Sequence, residues 1–434
     1  MARSLAPLRH RSFAILWTGA FVSNIGTWME SVGVGILVTE TTDQSGWTGL
    51  VAAAAFAPSA LLSPVGGALA DRVPRRLLLI GAFVIQTALA ALLTFLAAVD
   101  AAAPGLVTVI VLAAGCVQAL GFPAYMALLP DLVPEEDLVG AVALSSAQWN
   151  LGRVVGPALA GVVIELGGYE WAFAVNTLSF GGVIVALLLV HVPPLAVTAP
   201  ERILRSIRTG LAYVRRDRGL RVVAGYMALN SFLAAPFIAL VPAMAIKVFD
   251  SGEQGTSALV TAQGIGAVAM ALSLGALVAR FGNRRVLLAV LWGLPPALVL
   301  YAVAPTIAVS AVTITVVGFL YLGALSSFTS IGQLRAPASV RGRVMSLLMM
   351  ILGTLYPLGS ILQGAVADRI GLRATTAGAA VLMFLSLVLA RVLRPRFADA
   401  LDTPAAPIDE TPDAAADDEV TAPPGTLPAN TSEQ

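Results

Sequence analysis

Gly67-Ala68-Leu69-Ala70-Asp71-Arg72-Val73-Pro74-Arg75-Arg76 closes one long apolar run and opens the next. A weaker copy, Gly275-Ala276-Leu277-Val278-Ala279-Arg280-Phe281-Gly282-Asn283-Arg284, stands 208 residues downstream in the same setting. A short Arg-rich hinge at matching places in two hydrophobic stretches marks a duplicated helical bundle. Composition identifies its solvent as lipid. The 434 residues are 58% hydrophobic and 12% charged, with mean hydropathy +0.86. Soluble domains carry about 25% charged residues, so too little polar surface remains to face water on all sides.

Working outward from the hinge, apolar runs of near-spanning length follow one another. A helix needs roughly 20 such residues to cross the hydrocarbon core. The first half holds Phe13–Val38, Trp47–Ala70, Leu77–Val99, Leu106–Leu129, Leu138–Leu166 and Trp171–Val192. After a polar linker come Val222–Ile246, Gly255–Ala279, Val286–Leu334, Val344–Ala367 and Ala374–Ala390. As one helix Val286–Leu334 would span about 74 Å against a core of about 30 Å. It therefore divides, and Ala304-Pro305-Thr306 is the expected turn. The sequence thus predicts an all-α membrane protein: twelve transmembrane helices in two pseudo-symmetric six-helix bundles. The predicted divisions are an N-terminal half at 1–192, a cytoplasmic amphipathic linker at 193–220, a C-terminal half at 221–394 and a disordered acidic tail at 395–434. The basic start, Arg3, Arg9 and Arg11, precedes an apolar run too long for a signal core, so it reads as a retained first span.

Loop charge orients the bundle. With the N-terminus inside, 22 of the 26 basic residues fall on cytoplasmic segments, as the positive-inside rule demands. The expectation is a multi-pass protein of the cell membrane, a monomer, with both termini cytoplasmic. In the linker, Arg202, Arg205 and Arg208 alternate with Ile203, Leu204, Ile207 and Leu211, the pattern of a basic helix on the inner leaflet. It reads as a tether between halves or as a lipid sensor. The tail is Asp- and Glu-rich and has no basic residue after Arg396, so it cannot bury a core.

Several chemistries have no residues to carry them. Lys247 is the only Lys and follows Ile246, so a phosphate loop of the Gly-Lys-Ser/Thr type cannot form. His10 and His191 are the only His, and Cys116 is the only Cys. No disulfide, Cys metal cluster or nucleophile–His set follows. The chain reads as no enzyme, with no cofactor and no metal. Its net charge of +1 argues for no nucleic-acid partner. Solute transport across the lipid bilayer remains.

The hinge resembles motif A of the major facilitator superfamily, carried here by Gly67, Leu69, Asp71, Arg72, Arg75 and Arg76. Pro74 replaces the usual Gly. The second copy keeps Gly275, Leu277, Arg280 and Arg284 but has Ala279 where the Asp belongs, so the resemblance places the acidic latch in the N-terminal half. A third string, Gly364-Ala365-Val366-Ala367-Asp368-Arg369, falls on the outer side and receives no latch role. In span five, Gly152, Gly156, Pro157 and Gly161 resemble motif C of proton-coupled antiporters, with Ala143 and Ala160 departing from it. Together with Trp28-Met29-Glu30, Asn150-Leu151-Gly152-Arg153 and Arg341-Gly342-Arg343-Val344-Met345-Ser346, these strings are similar to the enterobactin-exporter and macrolide-efflux branch. The resemblance runs from about residue 10 to about residue 395. It implies a rocking two-domain transporter with the substrate between the halves.

Three charges interrupt the spans: Glu165 near the end of the fifth, and Glu30 and Arg153 well inside theirs. Glu30 lies 17 residues after Phe13 and Arg153 15 after Leu138, so both reach similar depth. A lone charge at mid-membrane costs about 3 kcal/mol on insertion scales, and the expected remedies are mutual pairing or exposure to an aqueous cavity. Glu30 then carries the coupling proton. Arg153 tunes it or holds an anionic group of the substrate; the alternative is a structural ion pair. Gln is commoner in the branch where Glu30 stands. Gln118 and Tyr125, Tyr226 and Asn230, and Tyr321 and Gln333 sit on spans that line the cavity in this superfamily; each reads equally as hydrogen-bonding glue between helices. The function expected is proton-coupled export of an amphipathic small molecule, a drug or siderophore-like metabolite. Uptake by the same fold, or a non-transporting receptor or scaffold, are the alternatives.

Overall fold

A computed structural model describes residues 5–190, 203–394, 396–403 and 405. The first half contains α1 (Arg11–Thr42), α2 (Ser45–Ala70), α3 (Arg75–Ala98), α4 (Pro104–Leu128), α5 (Glu135–Gly167) and α6 (Tyr169–Leu189). The linker helix α7 (Ile203–Arg216) follows. The second half contains α8 (Arg218–Leu229), α9 (Phe237–Lys247), α10 (Gly252–Phe281), α11 (Asn283–Ala302), α12 (Ile307–Arg335), α13 (Ala338–Ile370) and α14 (Leu372–Leu393). Twelve helical segments are long and apolar enough to cross a membrane, with α8 and α9 counting as one. The long uncharged run divides at Val303–Thr306, as expected. Lipid offers no hydrogen bonds to the backbone, so a chain this apolar closes its amides within helices.

Residues 230–234 between α8 and α9 form one π-helical turn. Gln363 of α13 donates from Nε2 to the Phe232 and Leu233 carbonyls at 3.0 and 3.1 Å. A neighbouring helix thereby satisfies acceptors that the wider turn releases.

The linker helix α7 leaves Leu211 exposed and buries two of its other apolar residues. Tyr213 and Val214 are buried in a cluster with Ala336, Val340, Val344 and Leu347. Helix α7 is thus docked beneath α13, and the seventh span begins at Arg218, inside the predicted linker. Arg202 and the segment before it lie outside the described residues.

Asp217 between α7 and α8 organises this face. Its Oδ1 accepts from Leu220 N at 2.6 Å, capping α8. Both its oxygens take the Arg335 guanidinium, at 2.8 and 2.9 Å, with neither side chain more than 8% exposed. Arg335 Nη1 also donates to the Leu401 and Thr403 carbonyls. The start of the predicted tail is therefore docked: Ala398–Leu401 form a 3-10 turn, and Phe397 meets Tyr226 edge-on. Composition missed this because the anchors are Arg284 and Arg335, far away in sequence. The rest of the tail lies outside the described residues.

The halves meet along α2–α13 and α5–α10. At the Arg-poor end, Asp368 terminates the third Gly-Ala-x-Ala-Asp-Arg string. It accepts from Ser45 N at 2.6 Å and Gly46 N at 2.8 Å. A carboxylate on one half thus caps the first turn of α2 on the other, where free N–H groups and the helix dipole favour negative charge. Lys247 Nζ donates to the Asp43 carbonyl at 2.7 Å beside it. A string given no latch role from sequence makes the interdomain cap. Further along, Gly49 lies against the Ser360 carbonyl and Gly161 against Ser257. The contacts extend to Ala60 against Gly353, past the middle of α2. At the Arg-rich end of α2, Asp71 and Arg72 are exposed.

Asp217→Ala strands the buried Arg335 charge, a loss of about 3–5 kcal/mol. The apparent melting temperature in detergent should fall by several degrees, and Arg335→Met in the same chain should recover most of it. Asp368→Asn removes the charge from a cap of about 1 kcal/mol. A cysteine at Ser257, in a Cys116→Ser background, should then react several-fold faster with an impermeant maleimide from the Arg-poor side.

Candidate functional site

Two residues along a helix turn the side chain by about 200°, so Trp28 and Glu30 leave α1 in nearly opposite directions. Glu30 faces α6, where its Oε2 accepts from Asn176 Nδ2 at 2.7 Å. Asn176 is fully buried, and its Oδ1 accepts the Ser179 hydroxyl at 3.1 Å. Gly26, one turn before Glu30, makes room for this group. A β-carbon there would lie 2.7 Å from both Asn176 Oδ1 and Ser179 Oγ.

Trp28 faces α5. The Arg153 guanidinium carbon lies 5.7 Å from the Trp28 ring centroid, within cation–π range. Trp149, one turn before Arg153, meets Trp28 edge-on with centroids 5.7 Å apart. From the other half, Tyr321 and Tyr356 lie within electrostatic reach of Arg153. Phe56 of α2 meets Tyr356 edge-on at 5.4 Å. Arg153 is only partly accessible, so it stands inside the bundle where the two halves face each other.

The expected pairing of Glu30 with Arg153 is not made. Among the described residues, Glu30 has a neutral partner in Asn176, and Arg153 has neither an ion pair nor a hydrogen bond. The azimuth of Glu30 on α1 carries it toward α6 and away from α5. The 100° step from each residue to the next contains that information.

The motif-C-like residues divide their work. A β-carbon at Gly152 would meet Asn24, and one at Gly156 would come within 2.7 Å of the Ile25 carbonyl. These two positions let α5 lie close on α1. Gly161 instead faces Ser257 of α10, at the seam between halves. Pro157 is buried within α5.

At the hinge, Arg75 Nη1 donates to Asp131 Oδ2 at 2.7 Å and to the Ala127 carbonyl at 2.8 Å. Arg76 donates to the Leu187 and Leu188 carbonyls, both at 2.7 Å, closing the end of α6. These two Arg residues tie the N-terminal half together and do not cross the seam. Leu69 accepts the turn's amides from Arg72 and Val73. Asp71 makes no ion pair or side-chain hydrogen bond among the described residues. Gly67 forms no close helix contact: nothing lies within 4 Å of a β-carbon there, whereas Gly66 packs on the Leu120 backbone. Gly275 also faces open space. In the second copy Arg280 lies over Phe281, and Arg284 binds Asp399 and Asp402 of the docked C-terminal segment.

The polar candidates do not converge. Gln118 and Gln333 are exposed. Tyr125 lies against Ser145 and Gln148 of α5. Tyr226 packs on Phe397. Asn230 is sealed in the π turn with neither amide atom partnered. Only Tyr321, edge-on to Phe237 at 5.7 Å, reaches the Arg153 group. Trp149, Tyr356 and Phe56 belong to the group around Arg153 and are not among the residues the sequence singles out. Trp149 stands one turn before Arg153, a detectable signal; nothing local marks Phe56 or Tyr356.

The family model for transmembrane secretion effectors matches residues 2–425. Macrolide efflux protein A of Streptococcus pyogenes is 27% identical over 371 residues, covering 83% of this chain and 90% of that protein. The staphyloferrin A transporter of Staphylococcus aureus is 24% identical over 361 residues, covering 82% and 89%. A peptide-bound POT family transporter superposes with a TM-score of 0.73 at 11% identity, covering 89% of this chain and 96% of that one. The chain belongs to the transmembrane secretion effector family and is a membrane transporter of the major facilitator fold.

Proposed function

We propose that the protein exports an amphipathic small molecule, a drug or siderophore-like metabolite, by alternating access driven by inward proton flow. The observation that carries the coupling is Glu30, a carboxylate within a membrane-spanning helix whose side-chain partner is the neutral Asn176. An Arg or Lys partner would hold it ionised. An amide accepts either state, donating to the carboxylate and remaining compatible with the acid. Glu30 can therefore take a proton from one side and lose it to the other. The relatives' names, macrolide efflux protein and staphyloferrin transporter, support export and bracket the substrate class.

Alternating access is supported by two similar strings at opposite ends of an antiparallel helix pair. Asp71 ends α2, beside which α13 begins; Asp368 stands at the end of α13, beside which α2 begins. Asp368 is engaged and Asp71 is free, the pattern of a protein closed at one face. The charge asymmetry assigns the Arg-rich face, and both termini, to the cytoplasm. In this reading the chain is a monomer in the cell membrane, open inward, and Asp71 caps α13 in the opposite state.

In everted vesicles with an imposed pH gradient, Glu30→Gln should reduce export of macrolides, dyes or siderophores to background. It keeps a carbonyl for Asn176 and so should preserve the folded protein. Wild-type export with unchanged pH dependence would remove Glu30 from the mechanism. Asp71→Asn should slow turnover several-fold at unchanged protein level; an unaltered rate would end the latch reading.

A further inference from the structure

The group around Arg153 contains donors and aromatic faces but no acid. The guanidinium presents five N–H donors, and among the described residues none finds an acceptor or carboxylate. The Trp28 indole N–H beside it is also buried without an acceptor. Trp28 supplies an aromatic face over the charge, Trp149 meets Trp28 edge-on, and Tyr321 and Tyr356 from the other half lie within electrostatic reach of the guanidinium. Glu30, the anion at comparable depth, is committed to Asn176 on the opposite side of α1. A cation in low dielectric with surplus donors is completed by an anion.

We infer that Arg153 is the specificity-determining residue of the transport site, selecting amphipathic molecules with a carboxylate or similar anionic group and a planar or apolar body. The anion would meet the guanidinium and indole N–H, and the body would lie against the aromatic rings. This rests on the export reading for its physiological meaning, but binding tests it separately.

The probes are fluorescein and its methyl ester at a mildly acidic pH, where the fluorescein carboxylate stays ionised and the phenol of both dyes is protonated, so that the ester is neutral. Binding to the full chain is measured in phosphatidylcholine nanodiscs. Wild-type protein should bind fluorescein at least tenfold more tightly than the ester, as expected for a charge-assisted hydrogen bond. Arg153→Gln should erase that preference while leaving ester affinity within about threefold, which also shows that the variant is folded. Arg153→Lys, a point charge without the planar fork, should retain part of it. Equal binding of the two dyes, binding of neither, or a preference that survives Arg153→Gln would overturn the inference. Adding phosphatidylglycerol should leave fluorescein affinity unchanged; competition would assign the site to a lipid headgroup instead. If binding discriminates as stated but a pH gradient drives no export of fluorescein, the anion site stands and the export reading fails for this dye.

Discussion

A charge withdrawn from water must find a partner, and that constraint organises this bundle. Asp217 and Arg335 meet it by bidentate pairing, with leftover donors taken by backbone carbonyls of the C-terminal segment. Asp368 meets it with two backbone amides and no side-chain hydrogen-bond donor. Glu30 uses a single neutral amide. Arg153 uses an aromatic face, which attracts a cation without replacing its hydrogen bonds. The first two arrangements are complete and read as structure. The last two are incomplete, and an incomplete site is where a proton or a ligand gains most by arriving.

The two ends of the molecule solve the same problem in opposite ways. A helix that ends beside the start of its antiparallel neighbour can lend that neighbour a carboxylate, provided the two approach within hydrogen-bond distance. α2 and α13 each end in a Gly-Ala-x-Ala-Asp-Arg string, so each is equipped to cap the other. Only the Asp368 cap is formed. Forming both at once would require the halves to be closed at both faces. The geometry thus favours a seesaw in which one cap replaces the other. Gly67 and Gly275, with open space where a β-carbon would stand, fit surfaces that become contacts in the alternative arrangement.

The architecture was legible because lipid imposes a length and an apolar content on every span, and Arg placement records which ends share a face. The division at Pro305 was readable for the same reason: a run of that length cannot remain one helix. What escaped were relations set by azimuth and by distant partners. Glu30 and Arg153 leave their helices in different directions, so of the two expected remedies mutual pairing is not the one adopted. Asp368 was discounted because its string falls on the opposite face, although a helix start on that face is equally short of acceptors. Phe397 to Thr403 looked like the beginning of a solvated tail. Their anchors, Tyr226, Arg284 and Arg335, are remote in sequence and become neighbours only when the second half folds.

The duplication therefore sets a frame that the two halves use unequally. In the first half Arg75 finds Asp131 at the end of α4. At the corresponding end of α12 stands Arg335, a basic residue, so the second half lacks an acid there. Asp399 and Asp402, on the segment after the last span, bind Arg284, the counterpart of Arg76 in the repeated hinge. Loss of the hinge acid at Ala279 and recruitment of the C-terminal segment change the same face of the same half. That half becomes a braced body, while in the other half Arg153 and Asp71 have neither an ion pair nor a side-chain hydrogen bond among the described residues and Glu30 has the neutral Asn176. In the alternating access proposed above, rocking one half against the other moves these groups relative to a wall formed by Tyr321 and Tyr356, changing what Arg153 faces without breaking a buried ion pair.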